Sequence, residues 1–132
     1  MEVLSSRVLL RPSDFERSVT FYRDTLGLKI YREYGSGPSY GVVFFLGGGY
    51  LEMSGTAPHP DVGHDHLALW LQVPDLAETH RALAAQGVEI LEGPDRKPWG
   101  LDEMWIADPD GVRIVLVEVP ADHPLRWRQE PE

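Results

Sequence analysis

The chain has 132 residues, 42% of them hydrophobic, which suits one compact domain or two small halves that share a core. Its 12 Lys and Arg against 21 Asp and Glu leave a net charge of −9, which argues against nonspecific nucleic-acid binding, a role that needs a basic face. No apolar run approaches the roughly eighteen residues of a membrane span, and the absence of cysteine excludes disulfides and thiolate metal sites and fits a reducing, cytoplasmic compartment.

Residues 1–14 lack a basic region followed by an apolar stretch, so no secretion signal is read. Residues 6–11, SRVLLR, read as a short strand that Pro12 stops. Ser13 is the expected cap of a helix, with Glu16 as its reciprocal partner in a capping box. Phe15, Val19, Tyr22 and Leu26 follow at helical spacing as one apolar stripe, and Gly27 ends the helix. Strands are expected over 28–34, 40–46 and 50–54, separated by the Gly35–Pro38 loop and the Gly47–Gly49 turn. The first module, residues 1–54, is therefore β-α-β-β-β.

Residues 55–65, GTAPHPDVGHD, have the composition of a linker. They also hold His59, Asp61, His64 and Asp65, residue types that ligate metals. No helical or strand spacing preorganises them, so the reading is a linker, and whether it binds a metal is open at this stage.

The order then repeats over residues 66–119. A strand is expected over 66–73. Pro74 and Asp75 start a helix with Glu78 at its third position, and Leu76, His80 and Leu83 copy the earlier stripe. His80 stands where its twin has Val19 and reads as a packing residue. Gly87 copies Gly27. A strand over 88–91, a loop over 92–102 and a strand over 103–107 follow. Asp108–Gly111 makes a turn, and 112–119 is the last strand. The tail, 120–132, has no periodicity and is expected to lie along the surface or over a partner chain, anchored by Trp127.

Two β-α-β-β-β units joined by a proline-rich linker carry S-D-x-x-R-S-x-x-F-Y-x-x-x-L-G-L at Ser13–Leu28 and D-P-D-G-x-x-I-x-L at Asp108–Leu116. This arrangement resembles the vicinal oxygen chelate superfamily, the glyoxalase, bleomycin-resistance and extradiol dioxygenase group. The resemblance implies an α+β fold in which two βαβββ modules form curved sheets around a cavity. It also implies a homodimer, either swapped or unswapped. It carries no single reaction, because the superfamily hosts lyases, epimerases, dioxygenases, thiol transferases and binding proteins.

In the metal-dependent members the resemblance implies four ligands, one near the start of the first strand and one on the last strand of each module. On this chain these positions fall on Arg7, Glu52, Ala68 and Val115. Only Glu52 has a lone pair to offer a metal. His66 shares a strand face with Ala68 but lies about 6.6 Å along the strand, against a metal–nitrogen bond of about 2.0–2.1 Å. No divalent-metal cofactor is therefore expected in the cavity.

Strand parity places Arg7, Leu9 and Arg11 on the cavity face, with Tyr50, Glu52 and Ser54, with His66, Ala68, Trp70 and Gln72, and with Arg113, Val115 and Val117. The opposite faces, Val8, Leu10, Leu51, Met53, Leu67, Leu69, Leu71, Ile114 and Leu116, are wholly apolar and must carry the helices. Arg7 and Glu52 are expected to form an ion pair in place of the metal, and with Arg11 to orient a polar ligand on which Tyr50, Trp70 and Trp99 stack. Trp99 reads either as a lid over the cavity or as a hydrophobic plug between the halves, and Trp105 as core or dimer contact.

Two function classes fit. One is a metal-free protein that binds a small molecule, an antibiotic or a metabolite. The other is an enzyme of the same superfamily, with a relocated metal or with Glu52 as general base and Arg7 or Arg11 as enolate stabiliser. A low pKa expected for Glu52 beside Arg7 favours binding. No Ser-His-Asp pattern, phosphate loop or dinucleotide fingerprint is present.

Overall fold

A computed structural model describes residues 1–56 and 67–124. The chain divides into two compact units, Met1–Gly63 and His64–Glu132, each built on one four-stranded sheet.

In the first unit, β1 (Arg7–Leu10) leads into α1 (Phe15–Thr20), which continues as a π-helical turn, Phe21–Thr25. Then come β2 (Ile30–Tyr34), β3 (Gly41–Leu46) and β4 (Gly49–Ser54). The sheet order is β1-β4-β3-β2, with β1 and β4 parallel and the other pairs antiparallel. Phe15, Val19 and Tyr22 of the helix bury against Leu10, Val42, Phe44, Leu51 and Met53 of one sheet face. The Tyr22 and Phe44 rings, 6.5 Å apart, mark that contact.

Two local expectations need correction here. The helix cap is Asp14, not Ser13: its carboxylate accepts from the Arg17 N–H at 3.1 Å. Glu16 then falls one position short of the third helical residue, and the capping box does not form. The stripe also loses its last member. The Leu26 N–H reaches back five residues to the Phe21 carbonyl and the Leu28 N–H six residues to that of Tyr22, which inserts a residue into the turn. Leu26 rotates out of phase and is only half-buried, while Gly27 takes the left-handed conformation at φ +73°.

The second unit repeats the plan with β5 (Ala68–Gln72), α2 (Leu76–Ala85), β6 (Glu92–Arg96), β7 (Asp102–Ala107) and β8 (Arg113–Glu118) in the order β5-β8-β7-β6. The Asp75 carboxylate caps α2 through the Glu78 N–H at 3.0 Å. Glu118 of β8 accepts from the Leu76 N–H at 2.8 Å and ties the helix start to the sheet. Leu76 and Leu83 are buried with Leu69, Met104, Ile106, Ile114 and Leu116, and His80 lies half-buried at the helix edge. Asp108 closes the β7–β8 turn by accepting from the Asp110 and Val112 N–H groups, both at 2.9 Å.

The sixth strand is displaced from its expected place. Residues 88–91 form no strand, and pairing begins with the Leu91 N–H on the Trp105 carbonyl and runs through Glu92–Arg96, inside the stretch expected as a loop. The strand contains Gly93-Pro94, a turn signature by composition. A one-residue register shift between Glu92 and Asp95 absorbs them. Gly93 has φ +80°, and a Cβ there would stand 2.5 Å from the Glu103 carbonyl oxygen, so only glycine lets the strands approach.

Candidate functional site

Parity along β1 and β4 sets Arg7 opposite Tyr50 and Leu9 opposite Glu52, all on the face of the first sheet turned away from α1. Arg7 Nη1 donates to Glu52 Oε1 at 2.6 Å, the expected ion pair. The Tyr34 hydroxyl, from β2, donates to the other oxygen, Oε2, at 3.0 Å. Both carboxylate oxygens are thus engaged, and the Glu52 side chain is 16% exposed against 40% for Arg7. Burial pushes the Glu52 carboxyl up, but the hydrogen bonds from Arg7 and Tyr34 and the charges of Arg7 and Arg32 outweigh it, and the net pKa is lowered. The Tyr34 phenol moves the opposite way, raised by burial and by its bond to the anion.

Glycine makes this geometry possible. Tyr34 faces Gly41 across the β2–β3 ladder and lies over it: a Cβ at Gly41 would meet the Tyr34 ring carbon Cζ at 2.3 Å. The Arg32 guanidinium carbon stands 5.4 Å from the centre of the Tyr34 ring.

Beside this polar network lies an aromatic ledge. The rings of Tyr31, Phe45 and Tyr50 have centroids 5.1, 4.8 and 6.0 Å apart in the pairs Tyr31–Phe45, Tyr31–Tyr50 and Phe45–Tyr50. Tyr31 sits at a one-residue bulge between Ile30 and Arg32, which puts it on the same face as Arg32 and Tyr34. The Arg7 guanidinium carbon is 5.8 Å from the Tyr50 ring centre and joins ledge to network. Tyr31, Phe45 and Leu9 remain largely exposed, so the face offers flat apolar surface next to anchored charge. Arg11 follows β1 and is exposed.

The corresponding face of the second sheet is different. Trp70, Val115 and Trp105 stand in one row across β5, β8 and β7. Val115, expected on a cavity wall, is buried in an apolar cluster with Leu101, Val117 and Val119, against which Trp105 packs. Ala68 and Arg113 are paired in the adjacent row and exposed, as is Trp70. Trp99 is exposed on the turn before β7, and its indole N–H donates to Glu103 Oε2 at 2.7 Å. His66 and the histidines and aspartates of the 55–65 stretch, like Trp127, lie outside the described residues.

Residues 5–116 match the sequence profile of the Glyoxalase/Bleomycin resistance protein/Dioxygenase superfamily. The chain belongs to this superfamily. It is 30% identical over 108 residues to the metallothiol transferase FosB of Staphylococcus saprophyticus, an alignment that spans 79% of this chain and 69% of FosB. A superfamily member from Sphaerobacter thermophilus superposes with a TM-score of 0.67 at 25% identity, covering 89% of this chain and 98% of that one. TnmS3, an antibiotic binding protein from Streptomyces sp. CB03234, shares the fold with a TM-score of 0.71 at 22% identity over 90% of this chain and 98% of its own. The two sheets, each with a parallel outer pair, are those of the superfamily fold.

Membership raises the question of a metal. The resemblance implies four ligand positions in metal-dependent members, and the expected register sets them on Arg7, Glu52, Ala68 and Val115. Glu52 has both oxygens committed to Arg7 and Tyr34, the Arg7 guanidinium is a cation with no lone pair, and Ala68 and Val115 have no donor atom. These residues do not fit a divalent metal. Among the described residues no group of three or more His, Asp or Glu side chains is placed to hold one.

Several residues of the two faces escape a reading by strand parity on β1, β4, β5 and β8 alone. Phe45 and Gly41 share parity with Val43 on β3, and Tyr34 with Arg32 on β2, so alternation extended to the inner strands finds them. Tyr31 is hidden by the bulge, which breaks alternation. Glu103 is marked by nothing local, because only its ladder partner Val117 defines its face.

Proposed function

We propose that this chain is a metal-free, small-molecule-binding member of its superfamily, with the ligand seated on the face of the first sheet that bears Arg7, Tyr31, Phe45, Tyr50 and Glu52. The observation that carries the reading is the Glu52 carboxylate. Its two oxygens accept from Arg7 and Tyr34, at a position where the resemblance implies a ligand in metal-dependent relatives. The ledge of three rings then supplies a stacking surface for a flat organic ligand, and Arg7 and Arg32 supply donors for its polar substituents. That TnmS3 is an antibiotic binding protein of the same fold supports an antibiotic or a flat metabolite as the ligand class. A homodimer working in the cytoplasm is part of the proposal.

The likeness to FosB, a metallothiol transferase, favours a second reading, an enzyme. Its metal-free version needs Glu52 as general base. The lowered pKa of Glu52 makes it a weak base at neutral pH.

One experiment separates the readings. Metal content of the purified protein is measured by plasma mass spectrometry after soaking in zinc, nickel, manganese and iron(II), and the same samples are titrated by calorimetry with a panel of planar aromatic antibiotics. Binding without metal, lost in Tyr50→Ala and Glu52→Gln, is expected. One metal retained per chain through desalting overturns the metal-free reading and puts the enzyme first.

A further inference from the structure

Among the buried carboxylates of the described residues, that of Glu103 stands in a situation the reverse of that of half-buried Glu52. Glu103 lies on β7 opposite Val117, only 6% exposed, beside the apolar cluster of Leu101, Val115, Val117 and Val119. Its hydrogen-bond partner among the described residues is the Trp99 indole N–H. No cation is paired with it there. The basic side chains at the end of the neighbouring strand and just after it are engaged elsewhere, Arg96 by Asp102 at 2.5 Å and Lys97 by Glu92 and Asp95. A carboxylate accepts about four hydrogen bonds, and a buried one without a counter-charge is costly.

Trp99, which supplies that one bond, is itself 59% exposed. It sits on a tight turn closed by the Gly100 N–H on the Lys97 carbonyl, and its own carbonyl lies 3.2 Å from His123 Nε2. The turn is anchored through its backbone, while the indole is held over Glu103 by a hydrogen bond that a side-chain rotation releases.

We propose that Glu103 and Trp99 form a binding site for organic cations bearing N–H groups (primary ammonium, amidinium or guanidinium), and that the Trp99 indole is the occupant such a ligand displaces. The indole offers one neutral N–H. An amidinium offers several, with a positive charge that no described residue pairs with Glu103. The displaced ring stays beside the site, where its face attracts the same cation. The net charge of −9 raises the local concentration of cations. This site shares no residue with the face of the first sheet assigned above, so each reading stands or falls alone.

The test uses the intact chain and three probes: benzamidinium, phenyltrimethylammonium, which has charge but no N–H, and benzoate. The four tryptophans give four indole N–H signals in a nitrogen–proton correlation spectrum, and Trp99→Phe identifies the one from Trp99. Benzamidinium is expected to shift that signal with saturation and to bind at least ten-fold more tightly than phenyltrimethylammonium, with no response to benzoate. Glu103→Gln, which keeps the shape, should weaken benzamidinium at least ten-fold. Trp99→Phe, which removes the competing donor but keeps a ring, should tighten it several-fold. The proposal is overturned if the Trp99 signal does not respond to benzamidinium, if the two cations bind alike, or if Glu103→Gln binds as well as the parent. Unchanged or weaker binding to Trp99→Phe overturns the displacement. Should Glu103→Gln fail to fold, the comparison of the two cations on the parent protein decides.

Discussion

Arg7 and Glu52 are 45 residues apart in the chain, yet their side chains meet at 2.6 Å because β1 and β4 are parallel neighbours. The pair is half-sheltered, so its coupling should fall between the about 0.2–1 kcal/mol of an exposed pair and the about 3–5 kcal/mol of breaking a buried one. A double-mutant cycle of Arg7→Met and Glu52→Gln, read by urea unfolding, should return a coupling of about 1–2 kcal/mol. A value near zero would show that solvent screens the contact fully.

The same pair makes stability depend on pH in a defined direction. The Glu52 pKa is lower in the folded chain than in the unfolded one, so the folded state holds the proton less tightly. Its contribution is complete above the unfolded carboxyl range, about pH 4.3, and is lost as pH falls through the lower folded value. The stability margin of the parent over Glu52→Gln should therefore be constant from pH 7 to about pH 5 and shrink on further acidification. A margin that grows on acidification would contradict the assignment.

Gly41 and Tyr34 are coupled by space. Gly41→Ala places a Cβ 2.3 Å from Tyr34 Cζ, and the phenol must leave Glu52. Overpacking of this kind costs about 1–3 kcal/mol. With Tyr34→Ala already in place the same substitution should cost much less, because the colliding ring is gone. Equal costs in the two backgrounds, measured by chemical denaturation, would place the Tyr34 ring elsewhere.

Asp14 and Asp75 each satisfy an N–H at the start of a helix, at 3.1 and 3.0 Å. Replacing either with alanine should lower stability by about 1 kcal/mol. Thermal unfolding of the two single variants checks this.

Ser18 behaves oppositely. Its hydroxyl, on the buried side of α1, finds no partner among the described residues. A buried hydroxyl without a bond costs about 1–3 kcal/mol, so Ser18→Ala should be neutral or stabilising in the same thermal assay.

The chain itself was sufficient for the repeated βαβββ plan and for the split of each sheet into an apolar and a mixed face. Both follow from alternation and helical periodicity, which act between near neighbours. The Arg7–Glu52 contact was also legible, because the repeat makes β1 and β4 adjacent and parity puts both residues on one side. Other features needed the folded backbone. The π-turn that pushes Leu26 out of phase, the bulge that turns Tyr31 onto the ledge, and the strand formed by Glu92–Arg96 despite Gly93 and Pro94 are departures from periodicity, and the last two form against partner strands. The choice of Asp14 over Ser13 as cap turned on where the first turn begins, a shift of one residue that either oxygen could have served. The partners of Glu52 and Glu103 were decided by tertiary structure alone. Tyr34 reaches Glu52 only because Gly41 leaves room, and Glu103 accepts from the indole of Trp99 while Arg96 and Lys97 are paired with other acids. Hydrogen-bond partners across strands depend on register, and register is fixed when faces pack, after the local pattern has been read.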